Sequence, residues 1–183
     1  MSYFEDKINK LQSLLEVSKL LNSSKNMNEI LSSLLEKSIE LVEAADAGTI
    51  FIYNKDIKKL EAAATVGYDS YSMNNKLLPG ESISGITFLS NKTTFINGSD
   101  GVKQAMSTLS EENRSNLEKS LKTTISESEI YGSICCPLIY KEDCIGVIII
   151  NNIKNCAQFD PDDVALIEAI SAQATIAIIN AGN

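Results

Sequence analysis

Histidine and tryptophan are both absent from this chain of 183 residues. Without histidine, the chain cannot form the Ser–His or Cys–His pairs of nucleophilic catalysis, an imidazole-ligated zinc site or a histidine-bound haem. These absences exclude several large classes of enzyme and metalloprotein before any pattern is considered. We predict no metal site, and the sequence identifies no cofactor.

Cysteine is scarce, and its spacing excludes two further kinds of site. Cys135, Cys136, Cys144 and Cys156 contain no C-x-x-C pair, so neither a zinc ribbon nor a thioredoxin-like site is supported. The N-terminus is polar and lacks the apolar core of a signal peptide, so we expect a cytoplasmic protein without disulfides. Cys135 and Cys136 are neighbours in a predicted strand and point to opposite faces. We therefore expect buried, unreactive thiols.

Basic residues are outnumbered by acidic ones, 16 to 24, which gives a net charge of -8. Binding to nucleic acid through phosphate neutralisation needs a basic surface, so we predict no direct nucleic-acid partner. No uninterrupted apolar run reaches the ~18 residues of a membrane span, so we predict no membrane partner. The hydrophobic fraction of 44% is ordinary for a soluble globular protein, and the length favours one domain with at most a short extension.

An amphipathic pattern marks the first segment of the chain. Ile8, Leu11 and Leu15 recur at the spacing of one helical stripe. An isolated helix of this length is marginal in water, so the stripe must pack against another surface. We predict that residues 1–25 form a dimerisation and signalling helix and that residues 26–183 form the main domain.

The main domain alternates between helical and strand patterns. Asn26 is placed to cap a second helix, with Glu29 three positions later, and this helix is predicted to end near Ala45. A loop at residues 79–85 leads into a short helix at residues 86–91. Segments rich in β-branched and apolar residues predict strands. The predicted strands are residues 49–53, 59–66, 93–96, 133–140 and 144–151.

The strands at residues 133–140 and 144–151 are apolar on both faces, which is typical of central strands covered on both sides. Pro137 cannot donate a backbone hydrogen bond, so we expect a bulge or an unpaired stretch there. Residues 97–132 are a long polar segment, and an unstructured loop of that length is unusual in a compact domain. We predict a partly helical surface insertion, in which Ser110 caps a helix.

The last helix is the most clearly delimited element. Asp160 is a typical N-cap and Pro161 suits the first helical position, while Asp162 and Asp163 favour the positive end of the helix dipole. Apolar residues then surround the helix nearly completely, to about Asn180. A surface helix needs only one apolar face, so we predict two neighbours, the chain's own sheet and a helix of a second copy. The residues predicted for this homodimer interface are Ile8, Leu11, Leu15, Ile170, Ala174 and Ile178.

Three segments of the main domain resemble a known family. They are PGESISGITFLSNKTTFI from Pro79, CCPLIYKEDCIGVIIINN from Cys135 and FDPDDVALIEAISAQATIAIINA from Phe159. Together they resemble the GAF domain, a family of small-molecule sensors, over residues 28–181. The resemblance implies an α+β fold with a central antiparallel sheet of five or six strands. It also implies N- and C-terminal helices on one face of the sheet and a loop-covered pocket on the other.

The resemblance also implies a function. GAF domains bind small molecules such as cyclic nucleotides, haem, bilins or 2-oxoacids, and they dimerise through their first and last helices. We expect a non-catalytic sensory domain that is the input module of a larger signal-transduction or transcription-regulatory protein, with an unidentified small-molecule ligand. The residues predicted to line its pocket are Phe51, Tyr53, Tyr68, Ile83, Phe88, Ile96, Cys135 and Asn151.

Two alternatives remain open. One branch of the family reduces free methionine sulfoxide, but that branch places its cysteines in the region corresponding to residues 97–132, which contains none here. The other alternative is a structural dimerisation module with a filled pocket. A covalent bilin is disfavoured because the attachment cysteine of phytochromes is followed by histidine, and the Asn-Lys-Phe-Asp-Glu motif of cyclic-nucleotide domains is missing.

Gly80 and Gly85 in the loop before the short helix have two interpretations. They allow a backbone approach to an anion at the helix start, or they serve turn geometry alone. The spacing lacks the Lys-Ser/Thr of a phosphate-binding loop, which favours turn geometry.

Overall fold

The computed structural model describes residues 26–68, 74–120, 130–154 and 157–182, together with residues 5, 6, 9, 10 and 12, which are helical. In the described chain the helices are α1 (Met27–Leu41), α2 (Ser82–Ser90), α3 (Ser99–Ala105), α4 (Glu111–Ser120) and α5 (Pro161–Ala181). The strands are β1 (Ala47–Asn54), β2 (Lys59–Val66), β3 (Lys76–Leu77), β4 (Thr94–Asn97), β5 (Gly132–Tyr140) and β6 (Asp143–Asn152).

The six strands form one antiparallel sheet in the order β3-β2-β1-β6-β5-β4, which confirms the predicted α+β fold. Strand β6 is central, as its apolar faces predicted, while β5 lies between β6 and the edge strand β4. Gly146 allows β6 to lie close to β1, because a Cβ at this position would be 2.2 Å from the backbone oxygen of Phe51. The pairing of β5 with β6 shifts register between Leu138 and Ile139, one position beyond the irregularity expected at Pro137.

Helices α1 and α5 cover one face of the sheet. Their apolar residues and the inward-facing residues of β1, β5 and β6 form one cluster, here called the helix-side core. Alternation along the strands places every second residue in this core. Its completely buried side chains are Leu31, Leu34, Leu35, Val42, Ile50, Ile134, Cys136, Leu138, Ile148, Ile150, Ile167, Ile170 and Ala174.

Helix α1 begins where the sequence predicts and ends earlier. The Asn26 side chain accepts a hydrogen bond from the backbone N–H of Glu29 at 3.0 Å, so the predicted cap is confirmed. The helix ends at Leu41 rather than near Ala45, because Val42 adopts an extended conformation that turns the chain toward β1. Ala45 is buried although it lies beyond the helix, and its apolar side chain was the reason for the later predicted end.

Helix α5 also begins as predicted. Asp160 accepts from the backbone N–H of Asp163 at 2.8 Å, Asp163 accepts from that of Asp160 at 2.9 Å, and Pro161 is the first helical residue. By length and composition alone the helix is apolar enough to cross a membrane. Its packing against β5 and α1 buries one side of the helix, including Leu166, Ile167, Ile170, Ala174 and Ala177.

The second neighbour predicted for α5 is therefore present within the chain. Helix α1 occupies the place that we assigned to a helix of a second copy. Ile170 and Ala174 are completely buried against the chain's own core, so they have no surface to present to another molecule, while Ile178 is partly exposed. Ile8, Leu11 and Leu15 lie outside the described residues, and the homodimer stays a prediction.

Helices α2, α3 and α4 lie over the opposite face of the sheet. The predicted insertion contains α3 and α4, and Ser110 caps α4 by accepting from the backbone N–H of Asn113 at 3.2 Å. Helix α2 begins at Ser82, four residues before the predicted start at residue 86. Ser82 and Ser84 are typical of loops in sequence, but both are buried in the first turn of this helix.

Candidate functional site

An apolar cavity of about 70 Å³ lies between the sheet and the segments that cover its second face. Strands β1 and β6 form its floor, and β3, α2, α4 and the link between α3 and α4 form its walls and cover. The apolar residues that line it belong to a second cluster, the cavity-side core, except Leu117, which packs against that cluster. They are Phe51, Leu77, Ile83, Met106, Leu109, Leu117, Ile130 and Ile149.

A chain of hydrogen bonds crosses the cavity floor and ends at a phenol. Ser133 on β5 is paired with Asn151 on β6, and its hydroxyl donates to the Asn151 side-chain oxygen at 2.5 Å. The Asn151 amide nitrogen then donates to the hydroxyl of Tyr68, also at 2.5 Å. Asn151 and Tyr68 both line the cavity. The phenol proton has no acceptor among the described residues and is available to the cavity.

The electrostatic environment keeps Tyr68 protonated. Burial raises the pKa of its hydroxyl to about 12, with a smaller contribution from the charge of Asp46, although the hydrogen bond from Asn151 opposes the shift. At neutral pH, Tyr68 is therefore a hydrogen-bond donor rather than a phenolate. Among the described residues that line the cavity, none carries a charge at that pH.

Asn75 contributes an acceptor from the link between β2 and β3, which also carries Tyr68. Its side-chain oxygen is buried and has no hydrogen-bond partner in the described part of the chain. Buried polar atoms in folded proteins are nearly always paired, so an unpaired oxygen that lines a cavity needs an explanation.

Glu81 connects α2 to the segment that carries α3 and α4, which is here called the cover of the cavity. Its carboxylate accepts hydrogen bonds from the backbone N–H of Leu78 at 2.9 Å, from that of Ser110 at 2.9 Å and from the side chain of Asn113 at 2.7 Å. Burial acts to raise the pKa of this carboxyl, but these hydrogen bonds outweigh it and hold the pKa below its ordinary value. Asn113 also donates to the backbone oxygen of Lys76 at 3.0 Å, so one residue ties α4 to both β3 and α2.

The two loop glycines have a structural explanation. Gly80 has a φ of +87°, a conformation that favours glycine, and a Cβ at Gly85 would be 2.6 Å from the backbone oxygen of Leu78. Turn geometry and close packing therefore account for the motif. The carboxylate of Glu81, the residue before α2, would repel an anion at this helix start.

The structure brings together four of the eight predicted pocket residues. Phe51, Tyr68, Ile83 and Asn151 line the cavity. The other four lie outside the cavity wall, in the cavity-side core or packed against it. They are Tyr53 and Phe88, whose rings pack with centroids 4.7 Å apart, and Ile96 and Cys135. Ligand binding by any of the eight stays a prediction.

Several cavity residues were missed by sequence reasoning. Ile149 could have been found, because it lies two positions from Asn151 on one strand and so shares its face. Met106, Leu109 and Asn113 come from the predicted insertion, and no local pattern indicates which of its side chains reach the cavity. Asn75 comes directly after Asn74 in a polar stretch of sequence, and nothing in that stretch indicates which side chain reaches the cavity.

The described cysteines are not set up as nucleophiles. Cys135 and Cys136 are completely buried, and burial raises the pKa of both thiols, that of Cys136 to about 12. Burial also raises the pKa of the partly exposed Cys144. Cys156 lies outside the described residues.

Comparison with known proteins identifies the family. The family model for the GAF domain matches residues 24–179, and the chain therefore belongs to the GAF domain family. No curated protein sequence matches the chain significantly.

Solved structures show the same fold in proteins of different function. The chain is similar to the GAF domain of a phosphoenolpyruvate-protein phosphotransferase from Coxiella burnetii, with 18% identity, a TM-score of 0.77 and coverage of 96% of this chain and 95% of that one. It is similar to residues 122 to 287 of a methyl-accepting chemotaxis protein, with 18% identity, a TM-score of 0.69 and coverage of 91% and 96%. It is also similar to a free methionine-R-sulfoxide reductase from Neisseria meningitidis, solved with its substrate, with 14% identity, a TM-score of 0.71 and coverage of 94% and 90%.

The similarity to the reductase corrects one expectation. We inferred from the family resemblance that the chain is not an enzyme, and that inference is wrong because an enzyme shares this fold. The fold leaves catalysis open.

Proposed function

We propose that this GAF domain is a sensory module that binds a small molecule in the cavity between the sheet and helices α2 to α4. The observation that carries the proposal is the cavity itself. It is mainly apolar, and Tyr68 and Asn75, both in the link between β2 and β3, add polar atoms to its lining. An apolar pocket with a few convergent polar groups is the usual form of a small-molecule site.

The cover of the cavity supports a role in sensing. Met106, Leu109 and Leu117 belong to the segment that carries α3 and α4, and all three line the cavity. A ligand in contact with them binds more tightly when this cover is docked through Glu81 and Asn113. Occupancy would therefore favour the docked arrangement, in proportion to the difference in ligand affinity between the two arrangements.

The sheet provides a route from the cavity to the terminal helices. Ile149 and Asn151 of β6 line the cavity. Ile148 and Ile150, which alternate with them along the strand, are completely buried in the helix-side core on the other face of the sheet. A displacement of this strand therefore acts on both faces. We propose that ligand binding changes the packing of α1 and α5 in this way, which requires two arrangements with different ligand affinity.

We further propose that the chain acts as a homodimer and as the input module of a signalling protein. The GAF-fold segment of a chemotaxis protein supports this context. On α5, Ala165, Ala172 and Ile176 remain exposed at helical spacings of seven and four, and they provide an apolar strip for a second copy.

A thermal-shift screen against nucleotides, amino acids, 2-oxoacids and small neutral molecules tests ligand binding. A ligand at about 100 times its dissociation constant should add about 2.7 kcal/mol to the free energy of unfolding. The variant Leu109→Phe, which adds volume at the cavity cover, should lose the ligand-induced shift. Leu89→Phe is the matched control, because Leu89 is 63% exposed on α2 and does not line the cavity.

Equal stabilisation of wild type and Leu109→Phe would place the ligand elsewhere and contradict the proposal. The absence of any shift across the whole screen would favour the structural dimerisation module instead.

Reduction of free methionine sulfoxide is a second candidate function, favoured by the fold similarity to the Neisseria reductase. It requires thiol-dependent turnover, which the replacement of all four cysteines by serine should abolish. The sensory function, in contrast, should survive that replacement, because neither Cys135 nor Cys136 lines the cavity.

A further inference from the structure

We propose that the ligand of this cavity is a small, uncharged, mainly apolar molecule that carries a hydrogen-bond donor beside an acceptor, as a branched aliphatic carboxamide does. This inference rests on the proposed function, because it specifies the chemistry of the ligand in the same cavity.

The unpaired oxygen of Asn75 requires a donor. It is buried and lines the cavity without a partner among the described residues. An unpaired buried acceptor is costly, and a ligand N–H or O–H would remove that cost. An apolar ligand without a donor would leave the oxygen unpaired and shut off from water.

Tyr68 requires an acceptor. Its hydroxyl oxygen already accepts from Asn151, which leaves its proton to be donated into the cavity. The Asn151 amide is oriented so that its oxygen accepts from Ser133 and its nitrogen faces Tyr68. A carbonyl oxygen on the ligand would complete the chain.

The absence of charge among the described lining residues excludes ligands with a fixed charge. A carboxylate buried without a cation or several donors is strongly destabilised, and no lysine or arginine lines the described cavity. The chain is also acidic overall, with a net charge of -8, which opposes the approach of anions. 2-Oxoacids and free amino acids both bring a carboxylate, so they fit this cavity poorly.

The size of the cavity limits the ligand further. At about 70 Å³ it is far smaller than the roughly 300–1,000 Å³ of pockets that hold drug-sized ligands. Because Tyr68 and Asn75 line one small cavity, a molecule that fills it meets both. A carboxamide with a short branched alkyl group satisfies the donor, the acceptor and the apolar walls together.

Three molecules of nearly equal shape test the inference. They are isobutyramide, which has a donor and an acceptor, isopropyl methyl ketone, which has only the acceptor, and isobutyrate, which is charged. Binding is followed through the methyl resonance of Met106 in the cavity, with Met27 beside the helix-side core as the internal reference. We expect millimolar dissociation constants for ligands of so few atoms. The amide should bind about tenfold more tightly than the ketone, and isobutyrate should produce no saturable shift.

Two variants assign the effect to its atoms. Asn75→Leu should abolish the difference between amide and ketone, and Asn74→Leu, an exposed neighbour outside the cavity wall, should preserve it. Tyr68→Phe should weaken amide and ketone alike by about 3- to 10-fold, whereas Tyr53→Phe should leave both unchanged. The comparison of the three molecules on the wild type decides the question even where a variant fails to fold.

The outcomes separate this inference from the proposed function. Equal affinity for amide and ketone, or preference for isobutyrate, overturns the inference while the cavity remains a binding site. No binding by any of the three molecules also overturns it, and the broader thermal-shift screen then decides separately whether the cavity binds anything.

Discussion

At the scale of single residues, Glu81 shows that the cover of the cavity is held by a buried charge. Its carboxylate gathers three donors from the loop before α2 and from the start of α4. A carboxylate accepts at both oxygens and donates nothing, so it suits a position surrounded by N–H groups. The residue therefore has a positioning role that its place in the loop motif did not reveal.

We predict that Glu81→Gln lowers the free energy of unfolding by about 1–3 kcal/mol at neutral pH. The NH2 group of glutamine would replace one carboxylate oxygen, so the N–H donors that face this oxygen would lose their acceptor. Urea denaturation measures the change. The control is Glu112→Gln, an exposed residue in the first turn of α4, which should change stability by less than about 0.5 kcal/mol. Equal effects of the two substitutions would show that the Glu81 network is unimportant.

The stabilisation by Glu81 should depend on pH. The hydrogen bonds hold its pKa in the folded chain below the ordinary value of 4.5, so its contribution is complete above that value and is lost as the pH falls through the folded pKa. The gap in stability between wild type and Glu81→Gln should narrow between about pH 5 and about pH 3. A gap that stays constant over this range would contradict the charged state that we assign.

Cys135 and Cys136 provide a test of burial at the same scale. Both are completely buried and their thiols have raised pKa values, so alkylation by iodoacetamide should be negligible in the folded protein and rapid in denaturant. Mass spectrometry that assigns each modified site makes the measurement. Folded-state labelling of either residue at the denatured rate would indicate an accessible thiol and would strengthen the reductase candidate.

At the scale of elements, the cap of α5 is the feature that the sequence indicates most directly. We predict that Asp160→Ala lowers stability by about 1 kcal/mol, since it removes a side-chain hydrogen bond to the helix start. Asp162→Ala is the control, because it removes an exposed charge from the same turn without removing a cap, and it should cost less. A calorimetric or denaturant comparison that reverses this order would contradict the assigned cap.

The success and failure of element prediction have a common physical cause. The caps of α1 and α5 are set by neighbouring residues, so they can be predicted from sequence. Strand β3 has only two residues and exists because Leu77 and Lys76 pair with β2. The start of α2 was missed because the buried serines in its first turn are stabilised by distant groups, such as the Thr108 hydroxyl that accepts from the Ser82 N–H at 2.9 Å.

At the scale of the whole molecule, the open question is where a second copy would bind. The completely buried Ile170 and Ala174 cannot serve as contacts, whereas Ala165, Ala172 and Ile176 form an exposed apolar strip on α5. The homodimer therefore stays a prediction, with the interface now expected at this strip rather than at Ile170 and Ala174.

We predict that Ile176→Lys, which places a charge on a side chain that is 46% exposed, converts a dimer into a monomer without unfolding the chain. The double substitution of Ile8 and Leu15 by lysine should do the same. Light scattering measures the mass in solution, and Leu89→Lys on the outer side of α2 is the control. A wild-type chain that is already monomeric at high concentration would refute the homodimer.

The order of the main elements and the helix caps at Asn26, Ser110 and Asp160 could be read from the sequence, because they depend on periodicity and on residues only a few positions apart. The α+β class and the family followed from the resemblance of three segments to the GAF domain. The tertiary structure alone decided which side chains meet at the cavity. The bonds from Asn151 to Tyr68 and from Asn113 to Glu81 join residues 83 and 32 positions apart. No local pattern encodes such contacts, because they form only when the strands have paired and the cover packs against the sheet.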